Sequence, residues 1–315
     1  MALFLREEDV VRLLPMSDAI EVVEQAFVEQ GRGTAVNLPR ERAQAEGVGL
    51  TMMVAVLGGR KVAGFKTMGA GRPLVLLYGD EPRRLLAVME AGNLGQIRTG
   101  AASGVATRYM ARQDVSTVGI VGTGFQARSQ LAAVCAVRPI RAVTAFSRTR
   151  ERLDEFCATM SESLGIPVSP AASAEEAVRG TDVVIAITNV RTLEPVVLGE
   201  WLSPGMHINA AGANSLERRE LDDDAISRCA VITADDVPQA MIECADLAMP
   251  IGAGKLDWSV VLDLGMVVAG HAPGRLSDDD ITLFESQGIA LEDVAVAAHL
   301  LERAEAEGVG ETLPF

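Results

Sequence analysis

The sequence predicts an α/β protein, and three observations lead to that prediction. Beyond Asp114, apolar runs of strand length alternate with helical patterns. A glycine-rich turn lies directly after the first of these runs and before a helix. Before Asp114 the pattern differs, because short β-type runs follow one another between glycine and proline residues. Alternation of strands and helices is typical of a parallel sheet with right-handed crossovers, so the chain combines such a sheet with a region of another architecture.

The region before the glycine-rich turn begins with an amphipathic helix predicted over 17–31, with Ser17 as its N-cap. Over 50–88, apolar runs are separated by Gly-Gly, Gly-Arg-Pro and Asp-Glu-Pro breakers, which predicts an antiparallel sheet. A helix rich in small residues is then predicted over 99–112, with Arg98 at its N-terminus.

The second region has the strands and helices of a parallel sheet. Its strands are predicted at 117–121, 142–146, 183–188, 207–211 and 230–233. The segment after the second strand predicts a helix that buries Leu153, Phe156, Cys157 and Met160 on one face. The segment 290–307 is strongly helical and is followed by no predicted strand, so its pattern fits either region.

Composition and charge exclude several classes of protein. The 315 residues carry a net charge of −15, which opposes binding to nucleic acid or to an anionic membrane surface. No apolar stretch approaches the ~18 residues of a membrane span, and acidic residues stand near the start where a secretory signal has basic ones, so we expect a cytoplasmic protein. The four cysteines and three histidines lack metal-ligand spacing, so we expect no metal site.

The glycine-rich turn has the pattern GxGxxA, in the order Gly122, Thr123, Gly124, Phe125, Gln126 and Ala127. In a dinucleotide-binding turn the first glycine permits a tight bend, the second lets the backbone approach a pyrophosphate, and the small third residue lets helix and strand pack closely. The helix N-terminus favours the negative charge of the phosphates. The turn therefore predicts a Rossmann domain, although a tight turn that binds nothing has the same local sequence.

The end of the next strand indicates which nicotinamide cofactor is bound. An acidic residue that accepts the ribose hydroxyls of NAD is expected there, and Ser147, Arg148, Thr149 and Arg150 stand in its place. A hydroxyl beside guanidinium groups suits the added 2′-phosphate of NADP. NADP is therefore predicted, with NAD as the alternative. Solvated arginines at the start of a helix are the competing interpretation.

Candidate catalytic residues lie in the region before the turn. Lys66 ends an apolar strand, where partial desolvation lowers the pKa of an ammonium group and suits it to proton transfer. Arg40 and Arg98 are cations able to bind a small carboxylate, and Thr99 with the amides of the helix beginning there is placed to meet cofactor phosphates. The structural alternatives are a snorkelling lysine, a loop charge and a clamping arginine.

Several stretches together resemble the ornithine cyclodeaminase/mu-crystallin family. They are GFK at 64–66, IRTGAASGVATRYMAR at 97–112, VGIVGTGFQARSQL at 118–131, GANSLERRELD at 212–222 and TLFESQGIALEDVAVA at 282–297. The resemblance implies a homodimer with two domains. A smaller α+β domain of 1–112 plus 289–315 would bind substrate and form the dimer, and a Rossmann domain of 113–288 would be inserted into it. The final helix would then belong to the smaller domain.

The resemblance also implies NAD(P)-dependent chemistry at the carbon–nitrogen bond of a small amino acid or imino acid. Lys66 would be the active-site lysine, Arg40 and Arg98 would bind the substrate carboxylate, and Thr99 would contact a phosphate. Further cofactor-binding residues would be Thr188, Gly212, Ala213, Ser286 and Gly288.

Asn214 is a departure from part of that family. Cyclodeaminases and alanine dehydrogenases of the family carry an aspartate at this position, and an amide cannot act as a general base. Imine reduction needs only hydride delivery and a proton donor, so the sequence predicts an imine reductase or an amino-acid dehydrogenase working reductively. An ornithine-type cyclodeaminase and a non-catalytic NADP-binding protein remain the alternatives.

Overall fold

The computed structural model describes residues 2–69, 71–80 and 84–314, and the chain divides into two compact units. The first unit comprises Met1–Arg98 and Ile289–Phe315, and the second comprises Thr99–Gly288. The predicted boundary after residue 112 differs from the observed one after Arg98. The reason is a long helix that continues from one unit into the next.

The elements of the described residues have the following bounds. The strands are β1 (Ala2–Leu5), β2 (Ala35–Ala45), β3 (Val48–Leu57), β4 (Val62–Met68), β5 (Leu74–Gly79), β6 (Leu85–Glu90), β7 (Thr117–Val121), β8 (Ala142–Phe146), β9 (Val168–Pro170), β10 (Val183–Ala186), β11 (His207–Ala210), β12 (Cys229–Ala234), β13 (Val261–Asp263), β14 (Ile281–Glu285) and β15 (Glu311–Leu313). The helices are α1 (Glu7–Leu13), α2 (Met16–Gly31), α3 (Gly92–Met110), α4 (Ala127–Val137), α5 (Arg150–Leu164), α6 (Ala174–Val178), α7 (Asp223–Ser227), α8 (Val237–Glu243), α9 (Ala245–Gly252), α10 (Leu264–Val268) and α11 (Ala290–Glu307).

The first unit is built on one sheet with the strand order β15-β1-β6-β5-β4-β3-β2. The strands from β2 to β6 pair antiparallel with one another, as predicted for 50–88, whereas β1 pairs parallel with β6. Helix α11 packs on β3 and β4 and also contacts α2. Alternate residues of β3, among them Met53 and Ala55, are buried on one face of the sheet. The core of this unit therefore needs the C-terminal helix.

Three predictions for the first unit are wrong in detail. Helix α2 begins at Met16 with Pro15 as its N-cap, so Ser17 lies inside the helix rather than capping it. The small-residue helix begins at Gly92 rather than at Thr99, because the Glu7 carboxylate accepts from the backbone N–H groups of Gly92 and Asn93, both at 2.7 Å. A side chain from another helix thus supplies the cap. The segment that follows α11 also contains a strand, since β15 pairs antiparallel with β1.

Arg40 lies in a strand that the sequence does not predict. Charged residues and Pro39 interrupt the strand pattern of β2 in the sequence. In the structure β2 forms a long hairpin with β3. The pairing register shifts between Leu38 and Glu41, and such a bulge redirects the side chains beside it. Arg40 is buried at this irregularity, whereas the residues that follow it in β2 are exposed.

The second unit has a parallel sheet with the order β13-β12-β14-β11-β10-β7-β8-β9. The predicted strands are present, although β10 and β11 end earlier than predicted, at Ala186 and Ala210. The sequence does not predict β9, β13 and β14, because β9 and β13 have only three residues each and an acidic run at 278–280 directly precedes β14. Helix α5 buries the four residues predicted for its inner face. The α/β class is confirmed.

Candidate active site

The first unit contains a buried cluster of opposite charges. Lys66 Nζ on β4 lies 3.1 Å from Asp293 Oδ1, and Arg98 Nε on α3 lies 2.9 Å from the same oxygen. Arg98 Nη1 also donates to Glu292 Oε2 at 2.6 Å. The two carboxylates lie in the first turn of α11, where the helix dipole stabilises negative charge. One aspartate oxygen thus holds both the predicted catalytic lysine and one predicted carboxylate-binding arginine.

Burial controls the protonation of this cluster. Lys66 is 5% exposed, and burial lowers its pKa while the attraction of Asp293 opposes that shift. Repulsion by Arg98 and Arg40 lowers the pKa of Lys66 further. Burial raises the pKa of Glu292 to about 7, although Arg98 favours its charged form. Burial therefore moves the pKa values of both groups toward neutral pH.

The backbone leaves room for this arrangement. A Cβ built on Gly95 of α3 would lie only 2.5 Å from Lys66 Nζ, so a side chain there would displace the ammonium. At the start of α11, the backbone N–H of Leu291 donates to Asn37 Oδ1 of β2 at 3.2 Å. The lysine and the acids are therefore held by α3, by β4 and by the strand that carries Arg40.

The cluster is suited to an anionic ligand. Three cations, Lys66, Arg40 and Arg98, stand against two carboxylates, one of which has its pKa raised to about 7. Glu292 Oε1 and Asp293 Oδ2 are buried and accept no hydrogen bond from the described residues. A small carboxylate would add the missing negative charge and accept hydrogen bonds from these cations.

The glycine-rich turn of the second unit has the geometry of a phosphate-binding turn. Gly122 has a φ of +107°, and a Cβ there would collide with Ile187 O, so only glycine fits. A Cβ on Gly124 would meet no atom within 4 Å, which leaves open space beside the backbone. Gln126 is the N-cap of α4, and Ala127 is fully buried. Phe125 is 61% exposed at the turn.

The residues after β8 present polar groups to solvent. Ser147 is half-buried, and Arg148 and Thr149 are exposed before α5 begins. Arg150 forms an ion pair with Asp154 at 2.9 Å, whereas Arg148 has no ion pair within residues 2–69, 71–80 and 84–314. The two arginines therefore differ, and Arg148 is the one whose charge remains available.

Two loops at the carboxyl ends of β10 and β11 are joined by one acid. Glu220 Oε1 accepts from the backbone N–H and from the hydroxyl of Thr188, both at 2.6 Å, and Oε2 accepts from the N–H of Gly212 at 2.7 Å. Ala213 is buried and Asn214 is half-buried in the second loop. The predicted cofactor residues Thr188 and Gly212 are thus brought together.

A second acid organises the segment after β14. Asp235 Oδ2 accepts from the N–H groups of Gln287 and Gly288 at 2.8 and 2.6 Å. Ser286 is buried and its backbone N–H donates to Ala210 O at 2.8 Å, next to the loop that carries Gly212. The carboxyl edge of the sheet is therefore fixed by buried acids that accept from backbone groups.

The prediction for Thr99 needs correction. Thr99 lies inside α3 rather than at its start, so its neighbouring amides are engaged within the helix and no helix N-terminus is available there. Its carbonyl accepts from Gln130 Nε2 of α4 at 3.1 Å. This contact ties α3 to the helix that follows the glycine-rich turn, and a phosphate contact by Thr99 remains a prediction for its side chain.

Sequence reasoning missed the acids that organise these sites. Asp293, Glu292 and Glu220 lie within stretches that resemble the family, yet their partners are far away in sequence. The available signal is the pair of adjacent acids at 292–293 on a face that is otherwise apolar. His207 is fully buried with Nδ1 2.9 Å from Thr282 Oγ1, and burial lowers its pKa to about 3.

The described residues contain no group of acids, histidines or cysteines that could hold a metal ion, and no helix among them is long and apolar enough to cross a membrane.

Known proteins resemble the chain over almost its whole length. A Delta(1)-pyrroline-2-carboxylate reductase of Bacillus cereus is 36% identical over 285 residues, which cover 90% of this chain and 86% of that protein. The structure of the Thermococcus litoralis enzyme of the same name, in complex with NADH and L-proline, has a TM-score of 0.92 and 33% identity, with 99% of this chain and 100% of that chain covered.

An archaeal alanine dehydrogenase, a dimer with bound NAD, also has a TM-score of 0.92, with 34% identity and coverage of 100% of this chain and 99% of that one. The model of the ornithine cyclodeaminase/mu-crystallin family matches residues 1–308. The resemblance inferred from the motifs is therefore confirmed, and this chain belongs to the ornithine cyclodeaminase/mu-crystallin family.

Proposed function

We propose that this protein reduces a small 2-imino acid to the amino acid with NADPH. The relatives confirm the predicted class, an NAD(P)-dependent oxidoreductase acting on CH–NH or CH–NH2 groups. The observation that carries the narrower proposal is the buried cluster in which Asp293 holds both Lys66 and Arg98. A buried lysine with a lowered pKa is suited to give a proton, and arginines beside it are suited to a carboxylate.

Each residue of the cluster has a proposed role. Arg40 and Arg98 bind the substrate carboxylate and fix the orientation of the C=N bond. Lys66 protonates the imine nitrogen, since addition of hydride to a neutral imine would leave an unprotonated nitrogen anion. Asn214 has no basic group, so it serves in positioning rather than in activating water. The reduced nicotinamide supplies the hydride when the cofactor is bound.

The second unit fits a dinucleotide. Gly122 allows the close turn, the space beside Gly124 is open, and α4 begins directly after the turn, where a helix N-terminus favours a phosphate. Preference for NADPH rests on Ser147 and on Arg148, whose exposed guanidinium is available for a 2′-phosphate.

Substitution of Arg148 tests the cofactor preference. Arg148→Ala is expected to weaken NADPH binding about 10- to 100-fold and to leave NADH binding nearly unchanged, as a charge-assisted bond of about 1.5–3 kcal/mol is lost. Arg150→Ala is the matched control, because Arg150 is already paired with Asp154. Fluorescence titration measures both affinities. Tighter binding of NADH than of NADPH by the unmodified protein would refute the preference.

Activity is tested by NADPH oxidation with a panel of substrates. The panel contains pyrroline-2-carboxylate, piperideine-2-carboxylate, and 2-oxo acids with ammonia or methylamine. We expect oxidation with at least one imine and no conversion of ornithine to proline. Steady release of ammonia from ornithine would identify a cyclodeaminase. Cofactor binding without turnover of any compound would identify a non-catalytic NADP-binding protein.

We further propose a homodimer that forms through the sheet of the first unit. Alternate residues of β2 and β3 leave an apolar face exposed, with Val36 and Leu38 at 53% and 51%, and Val56 directly opposite Val36. Exposed apolar faces of this kind mark protein interfaces.

The cytoplasmic location remains a prediction.

Sedimentation tests the dimer. Val56→Asp is expected to produce a monomer at micromolar concentration, because a charge would be buried in the interface. Val11→Asp is the control, since Val11 is more exposed than Val56, at 55% against 42%, but lies on α1. A monomeric unmodified protein at that concentration would refute the interface.

A further inference from the structure

Glu220 has an unusual position for an acid. It is fully buried, lies in the loop that leads to α7, and uses both carboxyl oxygens on the backbone of other loops. One oxygen accepts two hydrogen bonds from Thr188, and the other accepts one from Gly212. A Cβ on Gly212 would collide with Glu220 Oε1 and with the backbone of Thr188, so the glycine permits this close approach.

We propose that Glu220 is a positioning residue for the cofactor, which sets the separation of the loops after β10 and β11. Thr188 and Gly212 are the predicted cofactor-binding residues of those loops, so this inference rests on the proposed function. The parallel strands β10 and β11 fix the loops only up to Ala186 and Ala210. Beyond those residues, the Glu220 carboxylate joins the loop after β10 to the loop after β11.

Glu220 is itself held from behind. Asp246 Oδ1 of α9 accepts from the backbone N–H groups of Glu220 and Leu221, both at 2.9 Å. Asp246 is fully buried, so its attachment to this backbone is sheltered from water. A continuous set of hydrogen bonds therefore runs from α9 through Glu220 to both loops. Displacement of α9 or of Glu220 would therefore move the two loops and change their position relative to a bound ligand.

A carboxylate is required because every group that contacts it is a donor: the N–H and hydroxyl of Thr188 and the N–H groups of Gly212 and Ala213. Glutamine has only one carbonyl oxygen, so Glu220→Gln can accept either from Thr188 or from Gly212. Its NH2 group then faces the donor or donors of the other loop and cannot accept from them. We expect the dissociation constant for NADPH to rise about 10- to 100-fold, the equivalent of losing a hydrogen bond to a charged group. The KM for the imine is expected to stay unchanged, whereas general unfolding would lower active enzyme without changing either constant.

Glu285→Gln is the matched control. Glu285 is also buried, at the end of β14, but within the described residues its side chain accepts from Cys244 Sγ at 3.5 Å and from no backbone N–H. Burial raises its pKa well above the usual value, so an amide is a close replacement. NADPH affinity is expected to be unchanged in this variant.

A second variant covers the case in which Glu220→Gln fails to fold. Thr188→Val removes only the hydroxyl contact and is expected to weaken NADPH binding several-fold, with the N–H contact kept. Thr188→Ser, which keeps the hydroxyl, is expected to restore the affinity. When Glu220→Gln folds, its effect and that of Thr188→Val should be non-additive, because both act on one set of bonds.

NADPH binding is measured by fluorescence titration in the absence of imine, on the full chain. Unchanged affinity in both Glu220→Gln and Thr188→Val would overturn the inference. This readout separates the two proposals, because an unmodified protein that binds NADPH but reduces no imine contradicts only the proposed reaction. An unmodified protein that binds no nicotinamide nucleotide contradicts both.

Discussion

Buried carboxylates occur in both units, and different partners compensate them. In the first unit Asp293 and Glu292 face the cations Lys66 and Arg98. In the second unit Glu220 and Asp246 accept from backbone N–H groups, and the nearest cation to Asp246 among the ion pairs is Arg219, at the longer distance of 3.9 Å. Burial raises the pKa of Glu220 and raises that of Asp246 to about 7.

This difference separates two uses of a buried acid. A buried acid that faces cations controls their protonation and the charge that a ligand meets. Its removal should therefore change the reaction and its pH dependence. A charge that faces backbone amides sets geometry, so its replacement should change binding or stability instead. Substitutions in the two units therefore have distinguishable expected effects.

Loss of Lys66 is expected to have the largest effect. Lys66→Met should lower imine reduction about 10²–10⁴-fold, the usual contribution of a positioned acid, while NADPH binding survives. Steady-state kinetics and fluorescence titration measure the two properties. Lys61→Met is the control, because Lys61 is an exposed lysine just before the same strand. Near-normal reduction by Lys66→Met would show that the proton comes from another group.

Asp293→Asn should shift the pH profile of the first unit. Lys66 is active when protonated, so the rate falls as pH rises through its lowered pKa. Because Asp293 opposes the effect of burial, removal of its charge lowers the pKa of Lys66 further, and the fall in rate, which is the alkaline limb of the profile, moves to lower pH.

Glu292→Gln is the companion variant on the same helical turn. Glu292 bonds Arg98 and not Lys66, so we expect a higher KM for the imine and a smaller movement of the limb. Equal pH shifts in the Asp293 and Glu292 variants would contradict the specific pairing of Asp293 with Lys66.

Asp246→Asn should change stability against pH in the second unit. The folded pKa of Asp246 is about 7 against an ordinary 3.8, so between these values the folded state holds a proton that the unfolded state has lost. Stability therefore falls as pH rises through this window. Denaturant unfolding at several pH values should show a flatter dependence for Asp246→Asn. An unchanged slope would contradict a buried, protonated Asp246.

Asn214→Asp is expected to have the smallest effect. The substitution adds a carboxylate to the loop after β11, which also carries Gly212. The proposed reduction needs no general base at that position. Imine reduction should change by less than about ten-fold, which is below the usual contribution of a general base. Complete loss of reduction, measured in the same assay, would give Asn214 a more direct part in the reaction.

The sequence predicts the parts whose signals are local. The GxGxxA turn stands between a strand and a helix, and the structure gives Gly122 the positive φ that this turn requires. The bounds of α11 and most strands of the parallel sheet follow from hydrophobic periodicity. Such patterns depend on near neighbours, so one sequence is enough to detect them.

The parts that escape prediction depend on distant partners. The sequence predicts the start of α3 too late because its cap is Glu7, 85 residues away from Gly92. β2 has no clear strand pattern because Pro39 and the charged residues at 40–42 interrupt it, and its pairing with β3 is what establishes it as a strand. Glu220 has no local pattern that distinguishes it from an ordinary surface acid, and only its burial reveals its contacts.

The hydrogen bond between Lys66 and Asp293 joins residues 227 positions apart, and the whole second unit lies between them in sequence. During synthesis on the ribosome, the first 98 residues therefore emerge before the helix that must cover β3 and β4. All strands of the parallel sheet have emerged by Gly288, so that unit is expected to fold earlier. A nascent chain paused near that point would carry a finished nucleotide domain beside an open apolar sheet, the kind of surface that chaperones bind.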